Sequence, residues 1–521
     1  MHRQIGWICA QESGHQALLE KLCSRISRTC LTHHYSDSRI GLASSLAVAQ
    51  EGDLFASICG RPRFADPALS TLSPALALLT LWRQHAHNAP KFIHGNFTCA
   101  IIDREHNEVF VALDRTGTEK LAYAYGNDYF VFSSQSDVVA THPLVGAQLS
   151  PQGIFNYCYF YQVPAPGSIF SNVEKLLPAQ WVHWRSGTVT KGFYWALKYR
   201  DEPRQDFDSQ SHRFMELLRQ GVARARSGDE VAAFLSGGTD SSTVSGMLRD
   251  QVGRARTYSI GFNASGFDEI EYARIAAKHF DLDSREYYLT QQDVVDAIPV
   301  IASHYDEPFA NESAVPTYAC AKRAAEDGYR VMLAGDGGDE YFGGNERYAK
   351  QKIFERYFML PSGIRQGVIE PLLNQRWLQD APVLGKARSY VKQANIPLPH
   401  RLESYNHLNR QPLEHVFRPD FLATLDPGMP GAMLSEVYSR ADTGSYINRM
   451  LHLDLKFTLA DNDLRKVGGM TEAAGIEVRY PLLDDDLVEF SGEVPPDWKV
   501  RGRYLRWFFK RSLRGYLPDA I

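Results

Sequence analysis

Residues 234–243 read FLSGGTDSST, and this stretch decides the fold class. It begins at the end of an apolar run, Val231 to Leu235, and continues into small polar residues that pack poorly in a core. Apolar runs and helix-like segments then alternate to about residue 335, which is the order of a parallel sheet covered by helices on both faces. We therefore predict a doubly wound sheet, with a helix beginning near Ser241. The predicted strands are VAAFL, RTYSIGF, REYYLT and YRVMLAG, and the predicted helices include EIEYARIAAKHF and VVDAIPVIASHY.

The loop after the first predicted strand has the composition of a phosphate-binding turn. In a doubly wound sheet, ligands lie where strands end at their carboxyl edge and helices begin. Gly237 and Gly238 allow a tight turn with inward N–H groups, and the next helix offers its positive end. Unlike the common GxxxxGK(S/T) loop, this loop has no lysine after its glycines and has the acidic Asp240 instead, and an acidic group beside phosphates requires a metal between them. The simpler alternative is a glycine turn that caps a helix. The hydroxyl donors of the loop are Ser236, Ser241 and Ser242.

A second loop, LAGDGGDEYFGGNERY at 333–348, also follows an apolar run. Asp336, Asp339 and Glu340 crowd among its glycines. Clustered carboxylates repel each other unless they share a cation, so we predict Mg²⁺ and a polyphosphate between this loop and Asp240. The alternative is a solvated acidic turn.

The first 195 residues have a different pattern. Short apolar runs separated by turn signals predict antiparallel sheets, with one helix at PALALLTLWRQHA. The predicted strands are RIGLASSLAV, FTCAIID, EVFVAL, LAYAYG, YFVFSS and QWVHW. Residues 345–521 are predicted to be largely helical.

Composition and charge exclude several function classes. With 521 residues, the chain is too long for one hydrophobic core. Its net charge of −5 and pI near 6.4 give no broad basic field, so we expect no nucleic-acid partner. The stretch MHRQIGWICAQESGHQ holds only a short apolar run, so we expect no secretory signal, no membrane partner and a cytoplasmic location. Seven scattered cysteines indicate reduced thiols rather than disulfides or zinc ligands.

Several motifs, taken together, resemble the asparagine synthetase family. In the family's order they are FLSGGTDSS, YSIGF followed by FDEIEYAR, HYDEPFANESAVPTY, LAGDGGDEYFGGNERY and GIEVRYPLLDDDLVEF. Upstream, HGNFTCAIID, LDRTGTEKLAY and FVFSS resemble the family's glutaminase domain. The resemblance implies an α/β multidomain chain. Residues 1–198 would form an Ntn-hydrolase-like αββα sandwich, and residues 205–521 an ATP-pyrophosphatase domain with a Rossmann-like, doubly wound parallel sheet and a helical C-terminal part.

The resemblance also implies an AMP-forming amide ligase with ATP and Mg²⁺ as cofactors. A carboxylate attacks the α-phosphorus, and ammonia or an amine then attacks the acyl-adenylate, so catalysis is mainly positioning and charge neutralisation. The implied partners are a small-molecule or peptide carboxylate and the nitrogen donor, with a homodimer as a candidate assembly. The implied catalytic residues are Asp240 and Lys466, and the implied metal ligands are Asp240 and Asp339. The implied nucleotide-binding residues are Leu235, Ser236, Gly237, Gly238, Asp240, Ser241, Ser242, Ile260, Ala334 and Gly335.

The glutaminase-like half departs from the family pattern. Enzymes of that class carry a cysteine directly after the initiator methionine, because its free α-amine assists its thiol. That position is His2 here, and aligning IGWI with the family's CGI pattern places Ile5 at the cysteine. Cys9 lies inside a strand-like run, and the family's glutamine-holding NG pair appears as Cys59 and Gly60. We therefore expect no glutaminase nucleophile and no glutaminase activity.

The synthetase-like half has two departures. The family's KxDR run is KVGG here, so Lys466 remains while Gly468 and Gly469 replace the charged pair, which leaves the acyl substrate open. The chain ends at LPDAI, where the family continues to a lysine, so we expect either a truncated C-terminus or a missing charge. The basic run at 499–515, KVRGRYLRWFFKRSLRG, has the spacing of an amphipathic helix with a solvated basic face, which we predict in preference to a nucleic-acid patch.

Three other functions stay open beside the amide ligase. The first is a glutamine-dependent asparagine synthase proper, which the complete DEPFANESAVPTY and GDGGDE motifs support. The second is a lasso-peptide or macrolactam-type cyclase; a β-lactam synthetase is disfavoured, because those enzymes place a catalytic tyrosine where Asp336 stands. The third is a non-catalytic nucleotide-binding homologue.

Overall fold

The computed structural model describes residues 3–10, 15–26, 31–203, 206–262, 270–373 and 382–521. The prediction that rests on His2 lies outside these ranges, as does the start of the FDEIEYAR motif.

Two antiparallel six-stranded sheets form the N-terminal part of the chain. The strands, in chain order, are β1 (Gln4–Cys9), β2 (His33–Ser36), β3 (Ile40–Ser44), β4 (Ala47–Glu51), β5 (Leu54–Gly60), β6 (Arg63–Phe64), β7 (Ile93–His94), β8 (Phe97–Asp103), β9 (Glu108–Leu113), β10 (Ala122–Tyr125), β11 (Tyr129–Ser133), β12 (Glu174–Lys175), β13 (Gln180–Arg185) and β14 (Thr188–Phe193). One sheet has the order β12-β10-β11-β1-β3-β2 and the other β14-β13-β9-β8-β5-β4, while β6 and β7 pair separately. The helices of this part are α1 (His15–Cys23), α2 (Pro74–His85), α3 (Ser136–Ala140) and α4 (Pro151–Phe160).

Alternation along the strands explains why the two sheets stack. In β1, Ile8 points into the core shared by the two sheets, while Ile5 and Trp7 point outward onto α1 and α3. In β8, Ile102 faces the shared core, while Ile101 faces the cluster that includes α2. Both faces of each sheet are therefore covered, and the result is the predicted αββα sandwich.

The rest of the chain is built on a parallel five-stranded sheet with the order β17-β16-β15-β18-β19. Its elements begin with α5 (Phe207–Arg226), β15 (Ala232–Phe234), α6 (Thr239–Val252), β16 (Arg256–Phe262), α7 (Ile270–Phe280), β17 (Asp283–Leu289), α8 (Gln291–His304), α9 (Ala314–Glu326), β18 (Val331–Leu333) and α10 (Gly338–Phe342). A largely helical region follows, with α11 (Glu346–Phe358), α12 (Ser362–Ile364), α13 (Glu370–Leu373), α14 (Pro382–Ala394), α15 (Pro419–Leu422), α16 (Met429–Arg440), α17 (Tyr446–Asp454), α18 (Leu464–Ala473), β19 (Glu477–Arg479), α19 (Asp485–Glu493), α20 (Pro496–Lys499), β20 (Val500–Arg501), β21 (Tyr504–Leu505) and α21 (Trp507–Ser512).

The order of the parallel strands creates a crevice beside β15. The chain leaves β15 through α6 to β16 on one side, whereas β18 lies on the other side. β15 and β18 run in register, with Ala233 opposite Leu333, so they end at the same level of the sheet. Ligands of open α/β sheets bind at such a switch point, outside the carboxyl ends of the strands.

These observations confirm the predicted fold class and correct some of its elements. The prediction of one helix over 499–515 is wrong, because β20 and β21 form a hairpin and α21 contains only six residues. The run RIGLASSLAV forms two strands, β3 and β4, rather than one. None of the helices in the part of the chain that the structure describes has the length and apolar character needed to cross a membrane.

Candidate active site

Two loops meet at the crevice between β15 and β18. The first contains Ser236 to Gly238 and leads into α6, and the second contains Ala334 to Gly337 and leads into α10. A Cβ on Gly335 would lie 2.8 Å from the backbone nitrogen of Ser241, and a Cβ on Gly338 would overlap the carboxyl group of Asp240. The glycines thus let the acidic loop approach the start of α6 closely. Together the loops line an open cleft with a volume of about 360 Å³.

The first loop is folded around its serine hydroxyls. The backbone N–H of Gly238 donates to Ser236 Oγ at 3.3 Å, and the Oγ atoms of Ser236 and Ser241 lie 2.9 Å apart. Gly237 has a φ of +84°, and a Cβ there would overlap the backbone of α7, so the turn requires glycine. The hydroxyl of Ser242 is buried and has no hydrogen-bond partner among the described residues.

Most of the predicted site residues line this cleft. Those that line it are Ser236, Gly238, Asp240, Ser241, Ala334, Gly335, Asp339 and Lys466. The others lie behind it or to one side: Leu235, Gly237, Ser242 and Ile260 are absent from its wall. Leu235 packs in a small apolar cluster with Ala273 and Ala276, and its backbone oxygen accepts a hydrogen bond from Ser259 Oγ at 2.6 Å. The roles assigned to all these residues stay predictions.

The cleft is strongly acidic. Its wall includes five carboxylic acids, Asp240, Asp336, Asp339, Glu340 and Asp463, but only two bases, Lys466 and Arg506. Burial raises the pKa of Asp240 to about 7, although Arg506 acts in the opposite direction. Burial also raises the pKa of Asp336 to about 6. An added cation would favour the ionised form of both acids, so the electrostatics of the cleft favour cation binding.

Lys466 enters the cleft from the first turn of α18. Its Nζ lies 2.8 Å from Asp463 Oδ1, and its side chain is 14% exposed. Burial opposes the charged form of the ammonium, but Asp463 and Asp336 outweigh it and raise the pKa of Lys466. The lysine is therefore a permanent positive charge beside the acidic loop.

The sequence did not indicate Arg506 as a site residue, because the helix predicted over 499–515 places its basic residues on a solvated face. Arg506 Nη1 donates to Asp240 Oδ1 at 2.7 Å, and Nη2 forms an ion pair with Asp339 Oδ1. The glycine in RGR, Gly502, is a turn signal that interrupts the helical spacing of 499–515, and it could have predicted the hairpin that delivers Arg506. The cleft residues Thr317 and Asp463 were also missed: Thr317 lies in the motif HYDEPFANESAVPTY, which was identified without a role for this residue, and Asp463 has no local signal.

The donor set fits Mg²⁺ that arrives with a nucleotide. Mg²⁺ is usually held by one or two carboxylates, and waters and substrate phosphates complete its coordination. Asp240 and Asp339 contact the same guanidinium, so they are close enough to share a cation. No group of three or more His, Cys, Asp and Glu side chains within the described ranges could hold a metal ion without such additional ligands.

In the sandwich, the residues at the predicted glutaminase positions are buried. Ile5 has no exposed surface and pairs with Ser133 and Ala43 in neighbouring strands. Cys9 is the last residue of β1, which confirms that it lies inside a strand. Cys59 donates from Sγ to the backbone oxygen of Arg3 at 3.1 Å, and burial raises the pKa of its thiol to about 12. The Cys59 thiol is therefore protonated at neutral pH.

Comparison with known proteins gives matches over both parts of the chain. The family model for asparagine synthase matches residues 213–521, and the model for a glutamine amidotransferase domain matches residues 47–195. Asparagine synthetase (glutamine-hydrolyzing) 1 of Bacillus subtilis (strain 168) is 24% identical over 457 residues, which cover 87% of this chain and 70% of the relative. Asparagine synthetase (glutamine-hydrolyzing) 3 of the same strain is 23% identical, with 82% and 66% covered. Amidase chry2 of Gibberella zeae is 21% identical, with 84% and 69% covered.

The chain thus spans 66 to 70% of the length of these curated relatives. The first family model covers more than half of the chain and includes the β15 loop, the acidic loop and Lys466. The chain therefore belongs to the asparagine synthase family.

Proposed function

We propose that this chain is an ATP-dependent, AMP-forming ligase that activates a carboxylate as an acyl-adenylate for attack by ammonia or an amine. The observation that carries the proposal is the meeting of a glycine–serine loop and an acidic loop at the carboxyl ends of β15 and β18. The first loop suits phosphates and the second suits a divalent cation, and a metal–nucleotide complex needs both.

Each part of the cleft has a role in this reaction. The hydroxyls of Ser236 and Ser241 and the N-terminal end of α6 bind phosphate oxygens. Asp240 and Asp339 hold Mg²⁺, which neutralises phosphate charge when it is bound. Lys466 stabilises the negative charge that develops as the substrate carboxylate displaces pyrophosphate. These groups act by positioning and charge, which suits phosphate displacement.

The nitrogen donor in this proposal is ammonia or an amine from solution. The support comes from Ile5, which is fully buried and which the alignment with the family's CGI pattern places at the cysteine, and from the protonated Cys59 thiol. A second candidate, glutamine-dependent asparagine synthesis, is favoured by two of the relatives, which are named as glutamine-hydrolyzing asparagine synthetases.

Replacing Asp240 tests the ligase proposal. We expect Asp240→Asn to lower the rate of AMP and pyrophosphate formation by roughly 10²–10³-fold, because one metal ligand and one charge are lost at the phosphates. ATP labelled at the α-phosphate is incubated with ammonium and a panel of amino-acid and peptide carboxylates, and the products are separated. The control is Asp296→Asn, an exposed carboxylate on α8. Formation of ADP and orthophosphate would contradict the AMP-forming reaction.

A glutaminase assay tests the source of nitrogen. We expect no glutamate release from glutamine above the enzyme-free rate, and we expect ammonium to support any synthesis. Cys59→Ser and Cys9→Ser should behave like the parent protein in both assays. Glutamate release that scales with protein concentration, and that one of these variants abolishes, would favour the glutamine-dependent candidate instead.

A further inference from the structure

Arg506 is held in place by the backbone on both sides of it. It lies between β21 and α21 with a φ of +51°, a left-handed conformation that arginine rarely adopts. Its backbone nitrogen donates to the oxygen of Gly343 at 3.1 Å. This conformation starts α21 and sends the side chain into the cleft, where it is 16% exposed.

The surroundings of the guanidinium are fitted to it. A Cβ on Gly344 would overlap both Arg506 Nε and the carboxylate of Asp339. The backbone nitrogens of Gly343 and Gly344 both donate to the backbone oxygen of Asp339, which fixes the acidic loop at this point. The contact of Arg506 with Asp240 and Asp339 thus joins three separate segments of the fold: the start of α6, the acidic loop with α10, and the turn after β21.

We propose that Arg506 occupies the cation position of the cleft, that a divalent metal displaces it, and that the released guanidinium then binds a phosphate of the nucleotide. This inference rests on the proposed metal–nucleotide site. Before the metal arrives, Arg506 keeps the two carboxylates together, and after the exchange it contacts the nucleotide directly.

The charges in the cleft support the exchange of Arg506 for a metal ion. Asp240 and Asp339 each direct an oxygen at the guanidinium, and this positive group repels a metal ion that binds to the same two carboxylates. Two adjacent carboxylates without a cation would repel each other, so a replacement charge favours their separation from Arg506.

The destination of the guanidinium follows from the lining of the cleft. Arg506 shares the cleft with Ser236, Gly238 and Ser241 of the phosphate loop. A triphosphate in that loop brings several negative charges into the cleft that Arg506 lines. Guanidinium groups bind phosphate oxygens through two parallel N–H donors, so the exchange replaces two carboxylate contacts with phosphate contacts.

The test measures metal binding without turnover. The full chain is titrated with Mn²⁺ alone, and free Mn²⁺ is followed by electron paramagnetic resonance; MnATP binding is measured separately by calorimetry. We expect Arg506→Met to bind Mn²⁺ at least about tenfold more tightly than the parent protein, because the competing charge-assisted contacts are gone. We expect the ratio of MnATP affinity to Mn²⁺ affinity to be at least about tenfold lower in this variant than in the parent protein. A purely structural role of Arg506 predicts weaker Mn²⁺ binding.

Two variants serve as controls. Arg506→Lys retains a cation and should keep Mn²⁺ binding close to that of the parent protein. Arg503→Met removes an exposed arginine from the same hairpin and should change neither affinity.

Mn²⁺ binding by Arg506→Met that is no tighter than in the parent protein overturns the exchange. An unchanged ratio of MnATP to Mn²⁺ affinity overturns the transfer to phosphate. A parent protein that binds Mn²⁺ but not MnATP overturns the proposed ligase site, and the Mn²⁺ comparison still decides the exchange.

Discussion

The ionised carboxylate of Glu472, on α18, is stabilised by residues that lie far away in the chain. Its side chain is buried, accepts a hydrogen bond from Arg3 Nε at 3.2 Å and lies 3.4 Å from His304 Nε2. Burial opposes its ionisation, but Arg3 and His304 outweigh burial and lower the pKa of Glu472 to about 2. Because the pKa falls on folding, the ionised carboxylate stabilises the folded protein above its ordinary pKa of 4.5, and this stabilisation disappears as pH falls towards 2.

Replacing this carboxylate should change stability in a pH-dependent way. We expect Glu472→Gln to lower the free energy of unfolding at pH 7 by about 3 kcal/mol, since Arg3 loses its partner in a buried site. Between pH 4.5 and 2 the variant should lose less stability than the parent protein. Denaturant unfolding across this pH range measures both effects, with exposed Glu105→Gln as the control. Equal stability of Glu472→Gln and the parent protein at pH 7 would contradict the assignment.

At the scale of single residues, the sequence could not predict ion pairs between positions that are far apart in the chain. Asp240 and Asp339 were identified because each lies in a local motif with a chemical meaning. Arg506 lies 266 positions from Asp240, and Arg3 lies 469 positions from Glu472, so no local pattern connects them. Their partners are set by the packing of distant elements.

At the scale of elements, the acidic loop before α10 depends on a close approach to α6. A Cβ on Gly335 would meet the backbone of α6. It would lie 2.9 Å from the carbonyl carbon of Asp240 and 2.8 Å from the backbone nitrogen of Ser241. Contacts this short force one of the two loops to move.

We expect Gly335→Ala to weaken MgATP binding at least about tenfold and to lower stability by about 1–3 kcal/mol, because the added methyl group separates the loops. Calorimetric titration with MgATP and thermal unfolding measure the two effects. Gly367→Ala is the control, because a Cβ there meets nothing within 4 Å and alanine favours a helix. Unimpaired nucleotide binding by Gly335→Ala would show that the loops need not touch.

The periodicity of apolar residues predicted long elements well and short ones poorly. FTCAIID and EVFVAL are strands β8 and β9 at their predicted bounds, because alternating burial on two covered faces gives a strong pattern. β19 has only three residues, Glu477–Arg479, too few to show a period, and its place in the sheet comes from pairing with β18. The region 499–515 was misassigned because a hairpin followed by one helical turn can have the apolar spacing of a helix.

At the scale of the whole molecule, the sandwich and the parallel-sheet part meet through buried charges. Glu307 has no exposed side-chain surface, pairs with Lys175 of the sandwich, and accepts hydrogen bonds from Ser168 Oγ at 2.7 Å and the Ile169 nitrogen at 2.9 Å. Asp485 accepts from the Gly95 nitrogen at 2.6 Å. The predicted boundaries at residues 198 and 205 stay predictions, while the two architectures on either side follow from the change of pattern in the sequence.

The contacts of buried carboxylates between the sandwich and the parallel-sheet part limit which deletions the gene can tolerate. A gene shortened to encode the parallel-sheet part alone would produce a protein in which Glu307, Asp485 and Glu472 lose the partners that the sandwich supplies. Such a deletion breaks these contacts and exposes to water the surface that the sandwich covers, so selection against it acts on folding and is independent of any reaction in the sandwich. Residues of the sandwich that do not contact the parallel-sheet part can therefore change in evolution while the fold of the sandwich is retained.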